Sequence, residues 1–282
     1  MLGLTLEGGA SRTVYSCGIL DALLENGIMA DRIVGVSAGS AFGVSYVSRQ
    51  HGRNYTLATE YMNRSEYMGV KHLIDPSNKC YYNLDYDYDR IPNELLPFDY
   101  DAMREYKGEF YSVATDVETG EAEYMLLDAE DKKWMKLRAT CALPLLFPEI
   151  EIDGRKYLDG GVADPIPYKK MLEMGCDKNI VILTRPRDYR KTTDMMTKFA
   201  ISRYSDHPGF ARALELRAER YNKAVEEIME LSRQGKIFVF TPKTTFGVNR
   251  IEGDKEKLTK LYDHGYKHAH WAMDKLKAYL AR

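Results

Sequence analysis

The stretch Arg32-Ile33-Val34-Gly35-Val36-Ser37-Ala38-Gly39 constrains this chain more than any other. Arg32 to Val36 reads as a buried strand, and Ala38 to about Gln50 as a helix opening on small residues. Ser37 then sits on a sharp strand-to-helix turn, where Gly35 and Gly39 relieve the crowding. Such an elbow exposes the hydroxyl and points the amides and positive end of the next helix toward it. It also needs a strand inside a sheet and a helix on that sheet's face, which selects the α/β class. From these residues alone, a nucleophilic Ser37 and a plain glycine-rich turn are equally compatible.

The same alternation continues on both sides. Gly3-Leu4-Thr5-Leu6 predicts a first strand ending at Gly8-Gly9, and Val14, Cys17, Leu20, Leu23 and Leu24 recur at helical spacing up to Asn26-Gly27. Residues 110–114 and 123–127 read as strands, and 180–183 and 237–240 are continuous apolar runs, as buried parallel strands are. Residues 149–152 and 155–158 flank Asp153-Gly154, a two-residue hairpin signal that delivers Asp159 at the end of the return strand. The predicted fold is a three-layer α/β/α sandwich with a mostly parallel central sheet. Residues 1–190 form its core, within which 51–108, rich in Tyr, Asp and Asn, is an inserted or covering segment. Residues 191–282 read as a helical extension with one further strand, packed on the same domain.

Composition narrows the functional classes. Forty basic and 42 acidic residues give a net charge of -2, which argues against a nucleic-acid coat protein. No apolar run approaches the roughly 18 residues of a spanning helix, and the opening residues meet Glu7 too soon for a secretory leader. The scattered Cys17, Cys80, Cys141 and Cys176 predict reduced thiols in a cytoplasmic protein.

A nucleophilic serine needs a base and donors for the oxyanion. Gly8-Gly9-Ala10-Ser11-Arg12-Thr13, after the first strand, offers backbone amides but lacks the lysine of a nucleoside-triphosphate loop. Two bases fit. Asp159, released into a cleft by Gly160-Gly161, would act directly if burial raised its pKa. His207 would complete a triad in the chain order serine, acid, histidine. His264, His268 and His270 read as solvated helix residues, and Gly265 stands where a zinc protease has glutamate. Asp85, Asp87 and Asp89 lack the glycine and the final glutamate of a calcium loop. The tyrosines around them suit either an interfacial face or a packed covering loop, and Arg185 to Lys191 suits either anionic head groups or a surface loop.

Taken in order, Leu6-Glu7-Gly8-Gly9 with Arg12, Gly35-Val36-Ser37-Ala38-Gly39, residues 139–148 and Asp159-Gly160-Gly161 resemble the patatin-like phospholipase family in its bacterial branch. The likeness covers residues 3 to about 186. It implies a serine acyl hydrolase with Ser37 as nucleophile and Asp159 as general base, acting on acyl esters of lipids. The Gly8, Gly9, Ala10 and Arg12 loop would be the oxyanion hole. No metal or organic cofactor is implied, and the partner would be a lipid substrate, with transient contact at a membrane surface. A small-ester esterase or thioesterase with the same residues is the alternative, as is a catalytically weak lipid-binding protein. The family loop reads G-G-G-x-R-G, whereas Ala10 and Thr13 occupy its third and last glycine positions here. A positive φ at position 10 would make alanine cost about 1–2 kcal/mol. Thr13 is expected to cap the next helix.

Overall fold

The computed structural model describes residues 1–76, 78 and 80–282. Its strands are β1 (Leu2–Leu6), β2 (Arg32–Val36), β3 (Glu109–Asp116), β4 (Ala122–Leu126), β5 (Ile150–Ile152), β6 (Arg155–Asp159), β7 (Lys178–Ile182) and β8 (Phe238–Phe240). They join in one sheet in the order β5-β6-β3-β2-β1-β7-β8, with β4 also on β3. The pairs from β3 through β2, β1 and β7 to β8 are parallel, and those involving β4, β5 and β6 are antiparallel.

The strands β1, β2, β7 and β8 are largely apolar because both faces of this part of the sheet are covered. Leu4, Leu6, Ile33, Ile180 and Ile182 pack into a core with the helices Val14–Glu25, Ala38–Val47 and Lys255–Leu280. The alternate residues Val34, Val36 and Val113 pack with Met171. Val181 and Leu183 meet Tyr221, Val225 and Ile228 of the helix Pro208–Arg233. Three layers result. The helices Val14–Glu25 and Lys255–Leu280 touch backbone to backbone: a Cβ on Gly18 would lie 2.2 Å from the Tyr262 carbonyl oxygen, and one on Gly265 would lie 2.0 Å from that of Tyr15. His264 and His268, expected to be solvated, are therefore half-buried beside Tyr15, whose hydroxyl meets His268 Nδ1 at 2.6 Å.

One local expectation changes. Thr13 precedes the Val14–Glu25 helix without a side-chain capping bond, and its Oγ1 is buried without a partner. The preceding residues already form a 3₁₀ turn, Ala10–Thr13, so the chain enters the helix with no free first turn to cap. Residues 51–108 contain short helical pieces that include a wide π-type segment, Tyr86–Leu95. Burial of Tyr86, Ile91 and Pro92 offsets the poor helical propensity there.

One feature of register positions the site. Val113 of β3 pairs with Val36 and with Tyr124; Ala114 pairs with Asp159 and with Glu123. Since β4 holds one edge of β3 at both positions, β2 and β6 share the other. They meet there head to head, and the end of β2 and the end of β6 oppose consecutive residues, ~3.3 Å apart along β3. Ser37 follows the first of these ends, and Asp159 is the second.

Candidate active site

Ser37 has φ 53° and ψ -128°, a conformation nearly reserved for glycine that costs roughly 1–3 kcal/mol. The surroundings enforce it. Its N–H donates to Thr140 Oγ1 at 2.8 Å, and that hydroxyl donates in turn to the Val113 carbonyl. A Cβ on Gly39 would lie 2.5 Å from the Leu6 carbonyl oxygen, so glycine lets the elbow helix sit directly on β1.

The loop after β1 lies against the elbow. Ala10 does adopt positive φ, 50°, so this chain accepts the cost that a third glycine would avoid. The loop is fastened from the far end of the sequence: Ser11 N–H donates to the Arg250 carbonyl at 3.2 Å, and Ser11 Oγ accepts from Glu252 N–H at 3.2 Å. Arg12 N–H turns back to the Gly9 carbonyl. The N–H groups of Gly8, Gly9 and Ala10 have no acceptor among the described residues, and all three residues line a cavity with Ser37 and Asp159.

Asp159 is buried, 2% exposed. Its Oδ1 accepts from Gly161 N–H at 2.8 Å, and its backbone is pinned through Ala142 and Thr115. Oδ2 is buried without a well-formed hydrogen bond. Burial raises the pKa of this carboxyl; the Arg217 charge, the nearby Ser37 hydroxyl and the Gly161 amide oppose the rise. Arg217 is placed for this by its Nε, which donates to the Gly161 carbonyl at 2.7 Å. The Cys141 thiol is also close to Ser37 and is pushed up to about 12 by burial. His207 instead meets Glu118 at 3.2 Å, and among the described residues no histidine lines either cavity that borders Ser37.

Those two cavities differ in character. One, of about 100 Å³, is walled by Leu57, Met62, Met68, Tyr82, Tyr88 and Phe147, so residues 51–108 contribute much of it. Asp87 enters this wall with one oxygen unpartnered, and burial holds its pKa well above the ordinary range. The other, of about 70 Å³, carries Asp159, Glu7 and five cations: Arg12, Arg185, Lys191, Arg217 and Arg250. Sequence reasoning gave no role to Thr140, although it lies in the 139–148 segment, and missed Arg217 and Arg250, which carry no local motif. It did single out the Arg185–Lys191 basic run, two members of which turn inward. The cavity thus draws on residues from both sides of position 190.

A central mixed sheet flanked by helices, with a strained serine at a strand-to-helix turn, defines an α/β protein of the nucleophile-elbow type. The family model described as patatin-like phospholipase matches residues 4–172, and one described as a domain of unknown function (DUF6363) matches residues 207–281. The chain belongs to the patatin-like phospholipase family, a family of lipid-ester hydrolases. It is 26% identical over 190 residues to the uncharacterized protein YjjU of Escherichia coli, covering 66% of this chain and 52% of that protein. It is 26% identical over 297 residues to the lysophospholipase NTE1 of Coccidioides immitis, covering 98% of this chain but 18% of that protein. The chain thus spans about half of one relative and under a fifth of the other. Among solved structures, VipD of Legionella pneumophila aligns with 97% of this chain and 66% of its own at 14% identity and a TM-score of 0.46. Among the described residues, no helix is long and apolar enough to cross a membrane.

Proposed function

We propose that this chain is a serine acyl hydrolase that cleaves carboxylic esters of lipids, as a phospholipase A or lysophospholipase does, through Ser37 and Asp159. Ser37 Oγ attacks the ester carbonyl while its proton passes to Asp159 Oδ2. The N–H groups of Gly8, Gly9 and Ala10 hold the tetrahedral oxyanion, each such donor contributing about 10²–10³ in rate. The leaving alcohol takes the proton from Asp159, and an acyl-enzyme remains. Water then attacks, Asp159 accepts its proton and passes it to Ser37 Oγ as the acid leaves, so that both residues are regenerated. Gly161 fixes the carboxylate in the role that a histidine's orienting partner has in a triad.

One observation carries this reading: a strained serine and a carboxylate with one unpartnered oxygen border a single cavity beneath three unpaired amides. The apolar cavity supports a lipid over a small soluble ester, because it offers an acyl chain a wall of Met, Leu and aromatic side chains. We read residues 51–108 as a segment covering that chain, with exposed Val70, Leu73 and Ile74 available for transient contact with a membrane surface. The four unpaired cysteines fit a cytoplasmic location.

The test is a panel of micellar lipid esters and short soluble esters, assayed with the wild type and Ser37→Ala. The expected result is faster turnover of the lipids, a fall on the order of 10³-fold or more in the variant, and a fluorophosphonate adduct on Ser37. An unlabelled Ser37, or undiminished turnover by Ser37→Ala, contradicts the proposal.

A further inference from the structure

Five cations line the polar cavity beside Ser37 against two carboxyls. Arg12, Arg185, Lys191 and Arg250 make no ion pair among the described residues, and Arg217 gives its Nε to a carbonyl. Arg12 is 9% exposed, and its guanidinium has no hydrogen-bond partner among the described residues; its Nε is fully buried and empty-handed. The carboxyls lining this cavity are Asp159 and Glu7. Glu7 attracts Lys191 and Arg12, but it is one carboxyl among five cations, its Oε2 also accepts from Thr184 N–H at 2.6 Å, and burial raises its pKa, which weakens it as a counter-charge. Burial, and then the charges of Arg185 and Arg250, lower the pKa of Arg12 to about 10. Burial, and then Arg217, lower that of Lys191 to about 7. Like charges gathered and part-desolvated in this way oppose folding unless an anion joins them.

The anion's chemistry follows from the donors. Arginine forks match a group with several equivalent oxygens and more than one negative charge, and this describes phosphate. Its position follows from the two cavities, which share Ser37, Ala10, Leu143 and Arg250 and otherwise diverge. With the ester carbonyl at Ser37 and the acyl chain along the apolar wall, the alcohol half points among the cations.

We propose that this cavity is a phosphate subsite that grips the alcohol half of the substrate, making the enzyme selective for acyl esters whose alcohol carries a phosphomonoester. The inference rests on the Ser37 hydrolase reading. It also draws on Arg185, Lys191, Arg217 and Arg250, which lie beyond the residues matched by the patatin-like family model.

Two measurements test it. Inorganic phosphate is titrated calorimetrically into the full chain, wild type and the separate variants Lys191→Met and Arg250→Ala, with chloride as the reference. In parallel, kcat/KM is measured on three soluble short-acyl esters, with phosphomonoester, phosphodiester and neutral alcohol halves. We expect phosphate to bind the wild type, to compete with the phosphomonoester substrate, and to weaken about tenfold or more in each variant. The ratio of phosphomonoester to neutral kcat/KM is expected to exceed about tenfold and to collapse in both variants. No phosphate binding, or an adventitious ion only, bound equally by wild type and variants, overturns the proposal. So does binding without substrate preference, which would mark a site for free phosphate. Calorimetric binding does not need Ser37, so a failed hydrolase reading leaves it intact, whereas a failed subsite leaves Ser37-dependent turnover intact.

Discussion

Ser37 holds a backbone conformation that glycine would adopt freely, and a stable fold retains such strain where the surroundings over-determine it. Ser37→Gly is expected to stabilise the protein by about 1–2 kcal/mol in urea denaturation while removing activity. A loss of stability would mean that the elbow is not strained. Asp159 makes a matching prediction. Its folded-state pKa is raised above its unfolded value, which is about 3.9. Its contribution to stability is therefore full below the unfolded pKa and is lost as pH rises through the folded pKa. Asp159→Asn, neutral at every pH, is thus expected to raise Tm at pH 7. For the same reason the acid limb of kcat/KM should lie above the ordinary aspartate range, with activity rising as the carboxyl ionises. A wild-type limb at or below pH 3.9 would contradict the burial argument.

At the scale of elements, two strands meeting head to head on one edge of β3 bring the pair together, and Gly160 permits the meeting. A Cβ there would lie 2.0 Å from the Val113 carbonyl oxygen. Gly160→Ala is expected to cost about 1–3 kcal/mol in thermal or chemical unfolding and to lower kcat/KM by displacing Asp159. Unchanged values for both would remove the register argument. The parallel strands were readable because burial on both faces leaves an uninterrupted apolar run. The hairpin was readable because Asp153 and Gly154 both take positive φ, 50° and 77°, as the two-residue turn demands. The shared edge of β3 was not readable, since pairing register between distant strands leaves no mark in either sequence. The elements inside residues 51–108 were not readable for a related reason: their tyrosines pack against Phe147 and the elbow side of the core, and that contact overrides local propensity.

Across the whole molecule, the site is complete only with the region after residue 190. Arg217, from the Pro208–Arg233 helix, tethers the Gly161 carbonyl and favours the ionised form of Asp159. Arg217→Met is expected to move the acid limb of the pH profile upward; a loss of rate with no such movement would make Arg217 a packing residue only. Of the site, Ser37, Asp159 and the glycine loop were visible as local motifs. Arg217 was not, because a lone arginine in a long amphipathic helix looks like any solvated one until the fold turns it inward.

The central claim is that a carboxylate, without a histidine, takes the proton of Ser37. The direct measurement is kcat/KM on one lipid ester for the wild type, Asp159→Asn and His207→Gln. Asp159→Asn should fall on the order of 10³-fold or more while His207→Gln, altered at a residue paired with Glu118, stays within about twofold. Comparable losses in the two variants, or an active Asp159→Asn, would contradict the account.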